Sequence, residues 1–172
     1  MDITQLILDD HAEQRRLFAI IEQIDPKDTD ALTAVWARLS AFLDVHAEAE
    51  ERFFYPELLK LGQGANDAED GTVEGETVDA IEDHNTLRDA VKAVEKYKVG
   101  TGAWIEAVGK ANVVNSRHMG EEERQGLTDF RRHAPVSKRH DLAVRFAAFE
   151  ADHITGVRPV NKDPETYIEA NG

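Results

Sequence analysis

An all-α fold, an antiparallel up-down-up-down four-helix bundle, is predicted from three observations. Apolar residues recur at steps of three and four residues in four long stretches of the chain. No stretch shows the sustained alternation with β-branched residues that is typical of a strand. The connections between the four stretches are short to moderate in length, which favours antiparallel neighbours.

The first two predicted helices form a pair. The first contains the apolar residues between Ile3 and Ile24 and ends at Asp25-Pro26. The second is capped by Asp28 or Thr29 and runs to about residue 61. We expect a bend at Pro56, because its ring removes a backbone donor and crowds the preceding turn.

The third and fourth predicted helices follow a glycine-rich acidic loop at residues 62–76. They span about residues 78–94 and 104–133, and Gly100-Thr101-Gly102 separates them. A short fifth helix begins near Ser137, and the tail from Gly156 is predicted to be irregular. We therefore predict a bundle domain at residues 1–135, with the helix and tail of residues 136–172 packed on it.

Composition and charge exclude several classes of function. A chain of 172 residues is long enough for one domain with a substantial core. The net charge of −14 disfavours binding to nucleic acid or to anionic membranes. The absence of cysteine excludes disulfides, thiolate metal sites and thiol nucleophiles. No apolar run approaches the ~20 residues of a membrane span and the first residues are acidic, so we expect a cytoplasmic location.

An internal repeat links the two helix pairs. Asp10-His11 in the first helix is followed in the second by a histidine and two glutamates, His46-x-x-x-Glu50-Glu51. The same pattern recurs 72 or 73 residues later as Asp83-His84 and His118-x-x-x-Glu122-Glu123. The motif of the first helix pair is therefore repeated in the second helix pair.

The repeated histidines and glutamates lie on the apolar faces of their helices. His11, for example, follows Ile7 by four residues, and a histidine and a glutamate four residues apart share one helix face. A lone inward histidine is more often a hydrogen-bonded core residue than a ligand. Six coincidences of type, face and spacing favour a metal site instead, because buried charges need partners.

The donor types point to iron, manganese or zinc, since they are imidazoles and carboxylates without sulfur. Two carboxylates on opposite helices suit a dinuclear centre inside a bundle. Two irons have about twelve coordination positions, of which four histidines, two bridging glutamates and a shared oxygen fill roughly ten. The remaining positions are available to water or to a small molecule, which is typical of a reactive site.

The chain resembles the hemerythrin-like proteins, whose cation-binding motif contains His-His-Glu. The matching residues are His11, His46-AEA-Glu50, His84 and His118-MGE-Glu122, within about residues 3–133. The resemblance implies an up-down-up-down hemerythrin bundle. It also implies a non-haem diiron centre bridged by two carboxylates and an oxo or hydroxo group. Roles in the family include oxygen binding, sensing, iron handling and reactions with nitric oxide or peroxide.

The sequence departs from the oxygen carriers of this family in two ways. They have a fifth histidine one turn after the position of His84, where this chain has Arg88. Their last bridging carboxylate falls at the position of Glu123, whereas the spacing of His46 and Glu50 favours Glu122 here. We therefore predict Glu122 as the ligand, with Glu123 as the alternative. The missing fifth histidine is an argument against reversible oxygen carriage.

Tyr55 is a candidate extra ligand, since a phenolate is a hard oxygen donor that suits ferric iron. On an ideal α-helix, however, its side chain lies about 160° from the mean direction of His46 and Glu50. Pro56 disturbs the helix at this point, and residues before proline tend to leave the α region. Glu150 and His153 match one Glu-x-x-His element of ferritin-like proteins, but a single copy is expected to lie on a solvated face.

Three functions follow for such a centre. The first is an enzyme-like reaction that consumes hydrogen peroxide or nitric oxide. The alternative is binding or sensing of oxygen or nitric oxide without turnover. Metal storage is the least favoured, because one fixed dinuclear site has no mineralising cavity. The expected partners are these small molecules, and the sequence does not identify an electron donor.

Overall fold

The structure, a computed structural model, describes residues 1–64 and 72–172 and is helical throughout, with no strand among those residues. Its α-helices are α1 (Ile3–Gln23), α2 (Thr29–Ala49), α3 (Tyr55–Leu61), α4 (Val73–Val94), α5 (Gly102–Arg124), α6 (Gly126–His133), α7 (Val136–Asp152) and α8 (Pro164–Asn171). A π-helical segment, Glu50–Phe54, joins α2 to α3 without a break in the chain direction. The prediction of an all-α fold is confirmed.

Local signals place the beginnings of the long helices. Asp28 caps α2 by accepting a hydrogen bond from the backbone N–H of Ala31, as the sequence predicted. Thr101 caps α5 in the same way through the N–H of Trp104. Gly100 before it has a φ of +79°, and a Cβ there would lie 2.2 Å from the carbonyl oxygen of Pro26. Glycine is therefore required at this turn for both its conformation and its size.

The apolar core consists of two clusters with a polar layer between them. One cluster contains the later turns of α1 and α4 with the early turns of α2 and α5, including Trp36 and Trp104. The other contains the start of α1, the end of α2, α3, α6 and α7, including Phe54 and Phe146. Along α1, α2 and α4, the repeated histidine lies between residues of the two clusters, and His118 of α5 lies between Ala111 of one cluster and Leu127 of the other, in α6. The two apolar clusters therefore lie on either side of one buried polar layer.

The C-terminal helices pack on the bundle. The α7 helix contacts α1 and α2, and α8 contacts α4. The prediction of an irregular tail from Gly156 is wrong for residues 164–171, which form α8. Asp163 caps this helix, and Pro164 occupies its first turn, where a missing N–H costs nothing. The helix has eight residues and little amphipathic pattern, so its sequence alone would not predict it. Packing of the buried Tyr167 against the bundle stabilises it.

Three other boundaries differ from the prediction. The predicted loop at 62–76 is shorter, since α4 begins at Val73 with Thr72 as its N-cap; residues 65–71 of that loop lie outside the described residues. The predicted fourth helix is divided at Gln125, whose φ of −103° and ψ of −92° end α5. The predicted second helix contains the π-helical segment in place of a simple bend at Pro56. Among the described residues, no helix has the length and apolar character needed to cross a membrane.

Candidate metal centre

The π-helical segment decides which side chains of the second long helix reach the interior. The backbone N–H of Tyr55 donates to the carbonyl oxygen of Glu50, five residues earlier, in place of the usual four. The wider turn rotates the residues after Glu50 relative to an ideal α-helix. Tyr55 is consequently buried in the interior, on the side that an ideal helix would have turned away from His46 and Glu50.

The structure brings the six predicted histidines and glutamates into one buried polar layer. The Nε2 atom of His46 lies 3.0 Å from Oε1 of Glu50, and Nε2 of His84 lies 3.2 Å from Oε2 of the same carboxylate. His84 and His118 have their Nε2 atoms 3.0 Å apart. On the opposite side, Nε2 of His11 lies 3.3 Å from Oε2 of Glu122 and 3.9 Å from Oε1 of Glu50. Glu50 lies at the centre of the layer.

Two groups of these residues have the donor atoms and the spacing of a metal site. One contains His11, His46 and Glu50, and the other contains Glu50, His84 and His118. All five residues are buried, and Glu50 belongs to both groups. A carboxylate shared between two groups of donors is the arrangement in which one side chain bridges two cations.

Unsatisfied buried atoms test whether these residues fit a metal. Among the described residues, five buried atoms of this layer have no hydrogen-bond partner: Nε2 of His11, Nε2 of His46, both carboxylate oxygens of Glu50 and Oε2 of Glu122. Each unpaired buried polar atom costs about 1–3 kcal/mol, so such a concentration is rare in a core. All five are donor atoms for hard or intermediate metal ions. The residues therefore fit a bound metal.

Carboxylates outside this layer orient the imidazole rings. Nδ1 of His11 donates to Glu123 at 2.9 Å, and Nδ1 of His84 donates to Glu51 at 2.8 Å. Nδ1 of His46 donates to Asp10 at 3.2 Å. A ring that donates through Nδ1 keeps the lone pair of Nε2 for a metal, and partners of this kind fix the tautomer and the orientation of metal-binding histidines.

The sequence did not assign a role to these supporting carboxylates. The repeat contains them as the acid before each first histidine and the acid after each glutamate, Asp10, Asp83, Glu51 and Glu123. Asp83 is the exception to close contact, with Oδ2 3.9 Å from Nδ1 of His118. Their recurrence before the first histidine and after the glutamate of each copy was the available signal. Without the fold, it did not show which histidine each acid contacts.

The electrostatics of the layer follow from burial and from these partners. Burial alone raises the pKa of Glu50, but the positive charge of His46 beside it lowers that pKa well below its usual value. Burial lowers the pKa of His118 well below its usual range, and the nearby charge of His84 lowers it further. Glu50 is therefore a carboxylate and His118 a neutral imidazole, the forms that bind metals. Burial lowers the pKa of His84, but its contacts with Glu50 and Glu51 raise it to about 9, and Glu50 raises the pKa of His46 in the same way. Metal binding at these two imidazoles therefore releases their protons.

The geometry separates the two candidates for the last carboxylate. Glu122 points into the layer, whereas Glu123 contacts the outer nitrogen of His11 and the guanidinium of Arg15. The second oxygen of Glu122 accepts a hydrogen bond of 2.9 Å from the hydroxyl of Tyr55. These contacts favour Glu122 over Glu123. The assignment of His11, His46, Glu50, His84, His118, Glu122 and Tyr55 as ligands stays a prediction.

Arg88 and Glu150 take roles that differ from simple expectation. Arg88, in the position of the missing fifth histidine, is buried and donates to both oxygens of Glu51 at 2.8 and 2.9 Å. Glu150 was expected on a solvated face, but it is half-buried and forms a third donor group with Asp10 and His46. Burial and the neighbouring charge of Asp10 raise the pKa of Glu150 to about 8. The ring of His153 stacks on Phe149 and does not belong to the donor group of Asp10, His46 and Glu150.

The helices and the buried donor groups are those expected of a cation-binding helical protein. A comparison with known families identifies which family this is. The family model described as the hemerythrin HHE cation binding domain matches residues 2–127. The chain belongs to this hemerythrin family. No curated protein and no solved structure matches the chain. The resemblance predicted from the sequence is confirmed, and the match ends before α7 and α8.

Proposed function

We propose that this chain binds two iron ions in its buried layer and uses them to react with hydrogen peroxide or nitric oxide. The ligands in this proposal are His11, His46, Glu50, His84, His118 and Glu122. The observation that carries it is the set of five buried histidine and carboxylate atoms that have no hydrogen-bond partner among the described residues. The partners in this proposal are the small molecules oxygen, hydrogen peroxide and nitric oxide, together with an electron donor.

The up-down-up-down order of the four long helices belongs to the same proposal. It is supported by the cluster that combines the ends of α1 and α4 with the beginnings of α2 and α5. Two contacts between α1 and α5 also support it: His11 contacts Glu123, and Gln14 forms a hydrogen bond of 2.9 Å with Asn115. The residue numbers rise along α1 and fall along α5, so these two helices are antiparallel. This order brings one histidine from each helix to the same level.

Two ions are favoured over one because the donors form two groups that share Glu50. Imidazoles and carboxylates without sulfur suit iron, manganese or zinc, and iron is proposed among these because the hemerythrin resemblance implies it. A pair of iron ions, when bound, supplies the electron transfer that reduction or oxidation of a small molecule needs. The chain itself supplies the buried donors, their orientation through Nδ1 and the exclusion of bulk water.

Tyr55 has a defined part in this proposal as a hydrogen-bond donor. Burial raises the pKa of its phenol well above the usual value, and the negative charge of Glu122 raises it further. The hydroxyl therefore keeps its proton and donates it to Oε1 of Glu122, which leaves Oε2 of that carboxylate directed at His11. Tyr55 thereby orients a carboxylate ligand, and direct ligation would require loss of this proton.

The size of the adjoining cavity supports a small substrate. A cavity of about 20 Å³ is lined by Tyr55, His118 and Glu122, and its lining also includes the acidic residues Glu76, Asp79, Asp83 and Glu121. Space for one water needs about 10–15 Å³, so this cavity accepts a molecule of a few atoms. The same space suits binding of oxygen or nitric oxide without turnover, which is the alternative function.

The test is anaerobic titration of the metal-free chain with ferrous iron, followed by exposure to peroxide or nitric oxide. We expect two irons per chain, charge-transfer absorption after oxidation, and consumption of the oxidant well above that by free iron. His84→Ala should lose bound iron, whereas the control His140→Ala, at an exposed position, should not. Full loading with a spectral change but no turnover would favour the binding function. Failure to retain iron would contradict the whole proposal.

A further inference from the structure

We propose that the C-terminal segment, beyond the part that matches the family, holds one half of the metal centre in position. This inference rests on the proposed metal centre and adds two positioning residues to it, Lys162 and Tyr167, which we call the C-terminal clamp. Both act through Glu51, the carboxylate that orients His84. Neither residue was singled out by the sequence.

Lys162 contacts the carboxylate of Glu51 directly. Its ammonium group donates to Oε2 of Glu51 and, at 3.0 Å, to Glu48. The same Glu51 carboxylate receives Nδ1 of His84 and the guanidinium of Arg88. The side chain of Glu51 is fully buried, and its carboxylate is held by charged donors from three residues.

The backbone of Lys162 is fixed by the residue that follows His84. The side-chain amide of Asn85 donates to the carbonyl oxygen of Lys162 at 2.7 Å and accepts from its N–H at 2.9 Å. This paired contact ties the extended segment before α8 to α4. The segment is therefore attached near His84 at two points. Its backbone contacts Asn85, the next residue in sequence, and the side chain of Lys162 contacts Glu51, which binds the imidazole ring of His84.

Tyr167 completes the clamp from α8. Its hydroxyl donates to the backbone carbonyl oxygen of Glu51 at 2.5 Å, and its ring is buried. Glu51 lies in the π-helical segment, where the regular backbone pattern is altered. A donor at this carbonyl supports the backbone at Glu51, the residue that orients His84.

Within residues 1–64 and 72–172, the other half of the centre has no such clamp. Glu123, the counterpart of Glu51, contacts His11 and the partly exposed Arg15, and its own side chain is 26 % exposed. The clamp therefore acts on the group of His84 and His118 and not on the group of His11 and His46. We expect its removal to loosen one of the two bound ions selectively.

The experiment measures release of ferrous iron from the full chain into an excess of a ferrous chelator, without oxygen. In Lys162→Met, we expect half of the iron to leave about tenfold faster than in the unaltered chain, at the low end of the 10–100-fold effects known for residues behind metal ligands. Tyr167→Phe should accelerate the same half by a smaller factor. Asp10→Asn, which alters the carboxylate behind His46, should accelerate the other half.

A matched control separates positioning from general stability. Lys138→Met removes another C-terminal lysine, which pairs with Glu57 at 2.8 Å and contacts no carboxylate behind a histidine. It should leave both halves of the release unchanged. The thermal midpoint of the iron-free variants shows any purely structural effect, which would not change the ratio of the two release rates.

The outcomes distinguish this inference from the proposed function. If the unaltered chain binds two irons and Lys162→Met releases both at unaltered rates, the clamp is wrong and the metal centre stands. Equal acceleration of both halves also overturns the clamp. If the unaltered chain retains no iron, the proposed function and the inference built on it both fail.

Discussion

The two copies of the histidine and glutamate motif have the same sequence pattern but different surroundings. In the first copy, Glu50 has no hydrogen-bond partner on either oxygen among the described residues, whereas Glu122 in the second accepts from Tyr55. The position that corresponds to Tyr55 in the second copy is the buried apolar Leu127. The repeated motif thus gives one carboxylate with two oxygens available to a metal, Glu50, and one with a single available oxygen, Glu122.

The supporting acids differ in the same manner. Glu51 is buried beneath Arg88 and the C-terminal clamp, whereas Glu123 is at the edge of the bundle beside Arg15. Asp10 is 3.2 Å from the histidine that it faces, and Asp83 is 3.9 Å from its own. The comparison teaches that a repeat fixes which residues face inward, while neighbouring elements decide how firmly each is held.

The largest difference is expected between the two inward glutamates. Glu50 belongs to both donor groups, so Glu50→Ala should abolish binding of both ions. Glu122→Ala should retain at least one ion, since His84, His118 and Glu50 are unaltered. Iron content per chain after gel filtration measures this. Equal losses in the two variants would contradict a central role for Glu50.

The next effect concerns Glu51 and Glu123. Burial raises the pKa of Glu51, but its contacts with His84, Arg88 and Lys162 lower it to about 2, against 4.5 ordinarily. This lowered pKa corresponds to about 3 kcal/mol of stability, which is fully present above pH 4.5 and is lost as pH falls through 2. Glu51→Gln should therefore destabilise the metal-free chain by about 3 kcal/mol at pH 7, and by progressively less below pH 4.5.

Glu123→Gln is the matched control, because its carboxylate is partly exposed and less enclosed. We expect it to cost under about 1 kcal/mol at pH 7. Urea unfolding of the metal-free variants at pH 7 and at pH 4 measures both effects. A cost for Glu123→Gln equal to that for Glu51→Gln would remove the distinction between the two halves.

A smaller effect is expected from Tyr55→Phe. The change removes the hydrogen bond to Glu122 and leaves one more unpaired carboxylate oxygen, at a cost of about 1–2 kcal/mol. In the iron-loaded protein, the absorption spectrum should keep its bands, because the phenol is a donor to Glu122. Disappearance of a broad visible band would instead identify Tyr55 as a ligand. Tyr97→Phe, at an exposed position, is the control.

The smallest effect is expected at the aspartates that precede the first histidine of each copy. Asp10→Asn should weaken iron binding, by about tenfold, because it alters the donor contact of His46. Asp83→Asn should change it by less, since 3.9 Å is beyond hydrogen-bond distance. Competition with a ferrous chelator measures both affinities. The reverse order would show that Asp83 moves closer when iron binds.

Much of the fold followed from the helical period of apolar residues. The pattern predicted four long helices, and Asp28 or Thr29 was predicted as the N-cap of α2, because an apolar stripe and a capping residue are local features of the sequence. The pattern did not predict α8, which depends on burial of Tyr167 against the rest of the chain. It also missed the π-helical segment, because Pro56 permits a bend as readily as an added residue in the turn.

By itself, the sequence determined that six histidines and glutamates face one interior, because side chains three or four residues apart share a helix face. It also determined the family, through the repeated motif. Only the tertiary structure decided that Glu122 points inward and Glu123 outward, that Tyr55 reaches Glu122, and that the C-terminal clamp covers Glu51. These contacts join residues more than sixty positions apart, so helix packing sets them, and no local pattern in the sequence encodes them.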